Sequence, residues 1–335
     1  MSRGFDGLEM DDFRDSQWES DRVRESSNGR GAGSHIDASV RIKLGKLREA
    51  EFESDCLGAK EPDRAVATGR SLPREARQAV IFAERDRTEI HDRGKTYLLR
   101  PSEVHTLTEV GTFRVVALDD LAKYAYAGNR SRLDSDLRNL IHQRLVERKS
   151  TSVVKKESQQ ILTLSKEGKR LVRRHGVVNE DQAIYSGFVK AKEADHDAVL
   201  YRLYHKATDE IERKGGKVLR VQLDYELKEK LYRKLGQALT QRERQNQGMK
   251  EAFARQLHLP VVHGKVSFPD LRIEYTTQGL EIARVDLELA TGHYRAGHLA
   301  EKARAGFQIY ARSEDAAGLR RVRDDREIMT AILSL

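Results

Sequence analysis

A single cysteine, Cys56, occurs in the 335 residues. It excludes a disulfide framework and a four-cysteine zinc site, and it fits a reducing, cytoplasmic setting. Aromatic residues make up 6% and hydrophobic residues 38%, little for a chain packed along its whole length, while charged residues reach 34%. Part of the chain therefore lies outside any core. No run of about 18 apolar residues occurs, which excludes a membrane-spanning helix and a membrane partner of that kind. The opening stretch, MSRGFDGLEMDDFRDSQWES, lacks the apolar core of a signal peptide. No GxxxxGK(S/T) loop is present to cradle the phosphates of ATP.

What is present is charge, with a formal excess of +8. A basic balance on a chain of this length points to a polyanionic partner, nucleic acid first. Residues 1–75 are dense in charge, Ser and Gly. They read as a disordered arm, because they cannot bury enough apolar surface to offset the entropy of ordering.

From residue 76 the pattern changes. KTYLLR reads as a strand, PSEVHTLTEVG as a helix opened by Pro101, and ALDDLAKYAY as a second helix. A third helix follows, with Leu133, Leu137, Leu140, Ile141 and Leu145 at helical spacing and Ser131 and Asp134 placed as a capping box. Two strands around TSVVKKES and a closing helix complete the order of a winged helix-turn-helix domain, residues 76–180. The polar face of the third helix carries Arg132, Ser135, Arg138, Asn139 and His142. Arg and Asn are the side chains that make bidentate contacts to guanine and adenine edges, so this face is the candidate reader of double-stranded DNA. Lys149, Lys155 and Lys156 at the wing, and Lys169, Arg170, Arg173 and Arg174 beyond it, are suited to phosphates. The alternative is a solvated face, or one used for protein contacts.

Residues 190–315 read as an α+β domain with a small, mainly antiparallel sheet, and 316–335 as a closing helix or tail. The amphipathic helix after Ala194 has Leu200, Leu203, Tyr204, Ala207 and Ile211 on one face. The strand KVLRVQL turns Leu219, Val221 and Leu223 inward. Further on, FPDLRIEY and ARVDLELATG alternate apolar and charged residues. A three-residue loop, 277–279, keeps both apolar faces together and sets Asp270 opposite Asp286, with Glu288 one pair further on. Opposed carboxylates destabilise a sheet, and a magnesium or manganese ion held by Asp270, Asp286 and Glu288 would remove the conflict. The plain alternative is that these acids are the wet face of a one-sided sheet.

Pro269-Asp270, the turn, and the acid-x-residue pair Asp286 and Glu288 resemble the PD-(D/E)xK nuclease superfamily. Glu288 stands where that pattern has lysine, and Lys302 on the following helix is similar to the migrated lysine of some members. More narrowly, the winged-helix order, Pro269-Asp270, VDLELATG, Lys302, Tyr310 and the EADHDAVLYRL segment with His196 resemble the replication-relaxation family of plasmids and mobile elements. The resemblance covers about two thirds of the chain. It implies a restriction-endonuclease-like second domain, with Asp270, Asp286, Glu288 and Lys302 as catalytic residues. It also implies a role in plasmid replication, mobilisation or relaxation beside other replication or transfer proteins, as a metal-dependent nuclease or nickase. The rival expectation is a non-enzymatic winged-helix regulator or accessory factor whose second domain forms a homodimer or binds partners.

Overall fold

The computed structural model describes residues 86–152, 158–175, 178, 181–188, 191–238, 247–325 and 330–335. The expected disordered arm lies outside the described residues. The fold is mixed α/β.

The first half begins with a hairpin, β1 (Thr88–Asp92) and β2 (Lys95–Leu99), turning at Arg93 and Gly94. Helix α1 (Pro101–Thr112) follows, where Glu103 accepts the Arg100 N–H at 3.0 Å and so caps its own first turn. Next come β3 (Val116–Ala117), α2 (Leu118–Tyr124) and α3 (Arg130–His142). The α3 cap is Asn129, which accepts the Arg132 N–H at 3.0 Å. The expected Ser131–Asp134 box therefore does not form, because the helix begins two residues earlier. Strands β4 (Val146–Ser152) and β5 (Ser158–Leu164) form the second hairpin, and β3 pairs with β5 to give the order β3-β5-β4. Helix α4 (Lys166–Arg174) closes this half, capped by Ser165 on the Gly168 N–H. Leu133, Leu137 and Leu140 are buried as their spacing requires, whereas Ile141 stays 38% exposed.

The second half opens with α5 (Ala191–Arg213), whose Leu200, Leu203, Ala207 and Ile211 are buried with Tyr204 partly so. Strand β6 (Lys217–Leu223) leads into α6 (Asp224–Ala238). Then come α7 (Gln247–Gln256), the short pair β7 (Val261–Val262) and β8 (Lys265–Val266), and strands β9 (Leu271–Thr276) and β10 (Ile282–Ala290). The chain ends with α8 (Ala296–Arg304), β11 (Gln308–Ala311), α9 (Ser313–Asp325) and β12 (Ile332–Ser334).

The sheet runs β12-β11-β10-β9-β6. Its β6, β9 and β10 are antiparallel, while β10, β11 and β12 are parallel. Half of it therefore departs from the antiparallel expectation. Residues 308–311 form the strand that makes both parallel pairs. Leu219, expected inward, is 37% exposed because the β6 register shifts between Val218 and Arg220.

The two halves share one core. Phe113, just after α1, meets Tyr201 of α5 edge-on at 5.0 Å, and the buried leucines of α1 and α3 join those of α5, β9 and β10 in a single cluster. Ala194 and Ala198, one turn apart on α5, are small enough to let β3 approach closely, and they pack with Val115, Ala117 and Ile161.

Candidate functional site

Two places collect the residues singled out by sequence. The first is α3. Its core side is apolar, and one flank is taken by the β1–β2 hairpin. Asn139 donates to the Leu98 carbonyl at 3.0 Å, and Gln143 both donates to that carbonyl and accepts the Leu98 N–H. Arg100, at the end of the hairpin, donates to Ser135 at 3.3 Å and lies 3.1 Å from Asp136. Arg132 turns inward to Asp136 and Ser102. Arg132, Ser135 and Asn139 are thus held within the protein, whereas Arg138 and His142 remain exposed. Arg138 lies along its own helix, donating to the Asp134 carbonyl.

Of the phosphate candidates, Arg170 and Arg174 close on the buried Asp92 at 2.8 and 2.6 Å, which holds that carboxylate below its usual range although burial opposes it. Lys149 is exposed, with its ammonium 4.2 Å from the Phe188 ring centre. Lys155 and Lys156 lie outside the described residues.

The second place is one end of the five-stranded sheet. Leu223, Leu271 and Leu287 form a row across β6, β9 and β10. The next residue outward on each strand is acidic: Asp224, Asp270 and Glu288. The connection between β9 and β10 spans five residues, 277–281, with Leu280 in the left-handed region at φ 62°. The register is consequently two residues away from the expected one. Asp286 faces Arg272, not Asp270. Arg272 is 2% exposed and forks onto Asp286 at 2.6 and 2.8 Å, while its remaining donors reach the Leu257 and His258 carbonyls. Asp286 is therefore committed to a structural ion pair.

Glu288 is 1% exposed. One of its oxygens accepts from Tyr294 at 2.6 Å and lies 2.8 Å from the Lys302 ammonium. The other is buried without a hydrogen-bond partner. Burial, reinforced by the Asp270 charge and moderated by Lys302, pushes its carboxyl up to about 7. Lys302 also donates to the Phe268 carbonyl at 2.8 Å, so α8 delivers its lysine to the base of the acid row.

Asp270 accepts the Leu289 N–H at 2.8 Å and faces the His196 ring at 3.5 Å. The other His196 nitrogen is 3.8 Å from Asp197. Burial works against a charged ring here, yet Asp197 and Asp270 together keep it protonated up to about 10. Asp224 is raised by burial, with Lys228 at 2.8 Å pulling the other way. His293, Arg295 and His298 stand exposed beyond the row, and Tyr310 is buried.

Sequence reasoning missed Asp197 and Asp224 and gave His196 no chemical role. The three acids of the row are far apart in the chain, and the one signal that unites them is an acid beside a leucine, as Leu223-Asp224, Asp270-Leu271 and Leu287-Glu288. Among the described residues, no three of His, Asp, Glu or Cys are grouped as a metal site. No family model, curated protein or solved structure matches the chain.

Proposed function

We propose that this is a DNA-binding protein of mobile-element type, acting in plasmid replication, mobilisation or relaxation, whose second half cleaves phosphodiesters with magnesium or manganese. The observation that carries the reading is Asp270, Glu288 and Lys302 brought together at one end of the sheet. Two acids on adjacent strands beside a lysine are a cation-and-phosphate arrangement. The order α5, β6, β9, β10, α8, β11 supports a restriction-endonuclease-like reading of this half. Helix, strand, two helices, hairpin and helix support a winged-helix reading of the first.

The donor set fits a hard divalent ion. Asp270 and Glu288 offer carboxylate oxygens, one of which has no hydrogen-bond partner although it is buried. Two carboxylates are what magnesium commonly takes from a protein, with water and phosphate oxygens filling the remainder. Asp286 does not fit, since Arg272 holds both of its oxygens. A bound ion would polarise the phosphate and acidify the attacking water. The chain's own part is positional. Tyr294 fixes the Glu288 carboxylate, His196 and the Leu289 N–H fix Asp270, and Lys302 would contact a phosphodiester oxygen. His293 and Arg295, exposed nearby, suit the flanking phosphates.

A second reading has an observation of its own. His196, Lys228 and Lys302 already lie against Asp270, Asp224 and Glu288. That pairing favours a non-enzymatic regulator or accessory factor whose second half pairs with another copy. Incubating the protein with supercoiled plasmid and labelled single-stranded DNA, in manganese, magnesium or chelator, separates the two. Metal-dependent nicking absent from Asp270→Ala supports the enzyme, and DNA shifted but uncut in every condition supports the regulator.

A further inference from the structure

Arg114 is the residue by which the first half reaches into the acid cluster of the second. It sits just before β3, in the left-handed region at φ 63°, a conformation that costs a residue with a side chain on the order of 1 kcal/mol. The turn is held on both sides. The Val115 N–H donates to the Phe113 carbonyl at 2.6 Å, and the Thr163 hydroxyl donates to the Arg114 carbonyl at 2.8 Å. This strained backbone aims the side chain across the junction where β3 packs on the small residues of α5.

There the guanidinium lies 4.1 Å from the Tyr225 ring centre, 3.5 Å from Asp197 and 3.7 Å from Glu193. Asp197 is 3% exposed and faces His196 on its other side, and His196 faces Asp270. Asp270 in turn holds the Leu289 N–H, next to Glu288. The contacts thus run from Arg114 through Asp197 and His196 to Asp270, with opposite charges alternating.

We propose that Arg114 is a positioning residue for the acid row: by holding Asp197 it fixes His196, and through His196 the orientation of Asp270. A group in the DNA-binding half thereby sets the geometry of the site in the other half. In its rate arm the proposal rests on the cleavage reading above; in its structural arm it does not.

The structural arm is amide hydrogen exchange on the full chain in chelator. Arg114→Ala and Asp197→Asn should speed exchange at Leu289 and along residues 194–198, with the Ile273 and Leu287 amides unchanged. Arg114→Lys should restore protection at Leu289. The rate arm is plasmid cleavage. Arg114→Ala should lower the single-turnover rate at saturating DNA by about 10-fold to 100-fold, as loss of an outer-shell partner does, while duplex affinity in chelator stays within about twofold. Unchanged exchange at Leu289, or uniform loss of protection across all three amides in both Arg114→Ala and Asp197→Asn, overturns the proposal. A wild-type protein that does not cleave removes the cleavage reading, and the exchange result then decides the positioning role alone.

Discussion

Asp286 and Glu288 sit two residues apart on one face of β10 and have opposite fates. Asp286 is half of a buried fork with Arg272, and removing it strands a guanidinium that is 2% exposed. Asp286→Ala is expected to lower the unfolding free energy by about 3 kcal/mol, the usual result of orphaning a buried charge. Urea denaturation checks this, and a variant as stable as the parent would return Asp286 to the list of candidate ligands. Glu288 carries the reverse cost. Its carboxyl is raised from an ordinary 4.5 to about 7, so the folded protein holds this proton more tightly than the unfolded chain. Stability is therefore lost as pH climbs from 4.5 through 7, by up to about 3 kcal/mol. Glu288→Gln should flatten that part of the pH profile in chelator, and an unaltered slope would show that the group does not titrate there.

At the scale of elements, the hairpin β1–β2 occupies one flank of α3. Asn139 and Gln143 join α3 to Leu98, so Asn139→Ala combined with Gln143→Ala is expected to cost about 1–2 kcal/mol of stability and to leave the salt dependence of DNA affinity in place. Arg138→Ala should do the opposite, lowering affinity with no loss of stability and reducing the slope against log salt by about 1. Titrations at several salt concentrations distinguish these outcomes. Gly168, in the first turn of α4, is a tighter constraint: a β-carbon there would lie 2.2 Å from the Leu145 carbonyl oxygen. Gly168→Ala should cost about 2 kcal/mol or more by forcing α4 off the turn that follows α3.

The elements also show what a linear reading can see. Helical spacing at Leu133, Leu137 and Leu140 placed α3, and alternation at Leu271, Ile273, Leu287 and Leu289 placed the faces of β9 and β10 correctly. The pairing was not legible, because an alternating pattern looks the same after a slip of two residues and the longer turn at 277–281 chose the other register. Nor does a polar helix face declare whether DNA or a hairpin lies against it. Arg132 and Asn139 have the chemistry for base edges and spend it on Asp136 and Leu98. Lys302 was found through its resemblance to a migrated lysine. His196, Asp197 and Asp224 acquire meaning once α5 and β6 are folded against β9.

At the scale of the whole molecule, oppositely charged groups meet across the junction of its halves. His205 and His105 approach Glu109 there at 3.7 and 3.9 Å and, against the effect of burial, pull its carboxyl down to about 2. That contribution is present above pH 4.5 and is lost as pH falls toward 2. His196 contributes stability below 6.5 that is lost as pH rises toward 10. Together with Glu288, these groups place maximal stability on the acid side of neutrality, near pH 5. Thermal melts from pH 3 to 9 in chelator check this, and a maximum above pH 7 would show that the acid row is not balanced as described.

The most direct test of the central claim is the rate at which supercoiled plasmid is nicked in manganese, measured beside Asp270→Ala, Glu288→Gln and Lys302→Ala. The account expects nicking by the parent, none in chelator, and a loss of about 100-fold or more in each variant with DNA binding intact. Plasmid that is bound but uncut by the parent under every metal, or cut equally by all three variants, would contradict it.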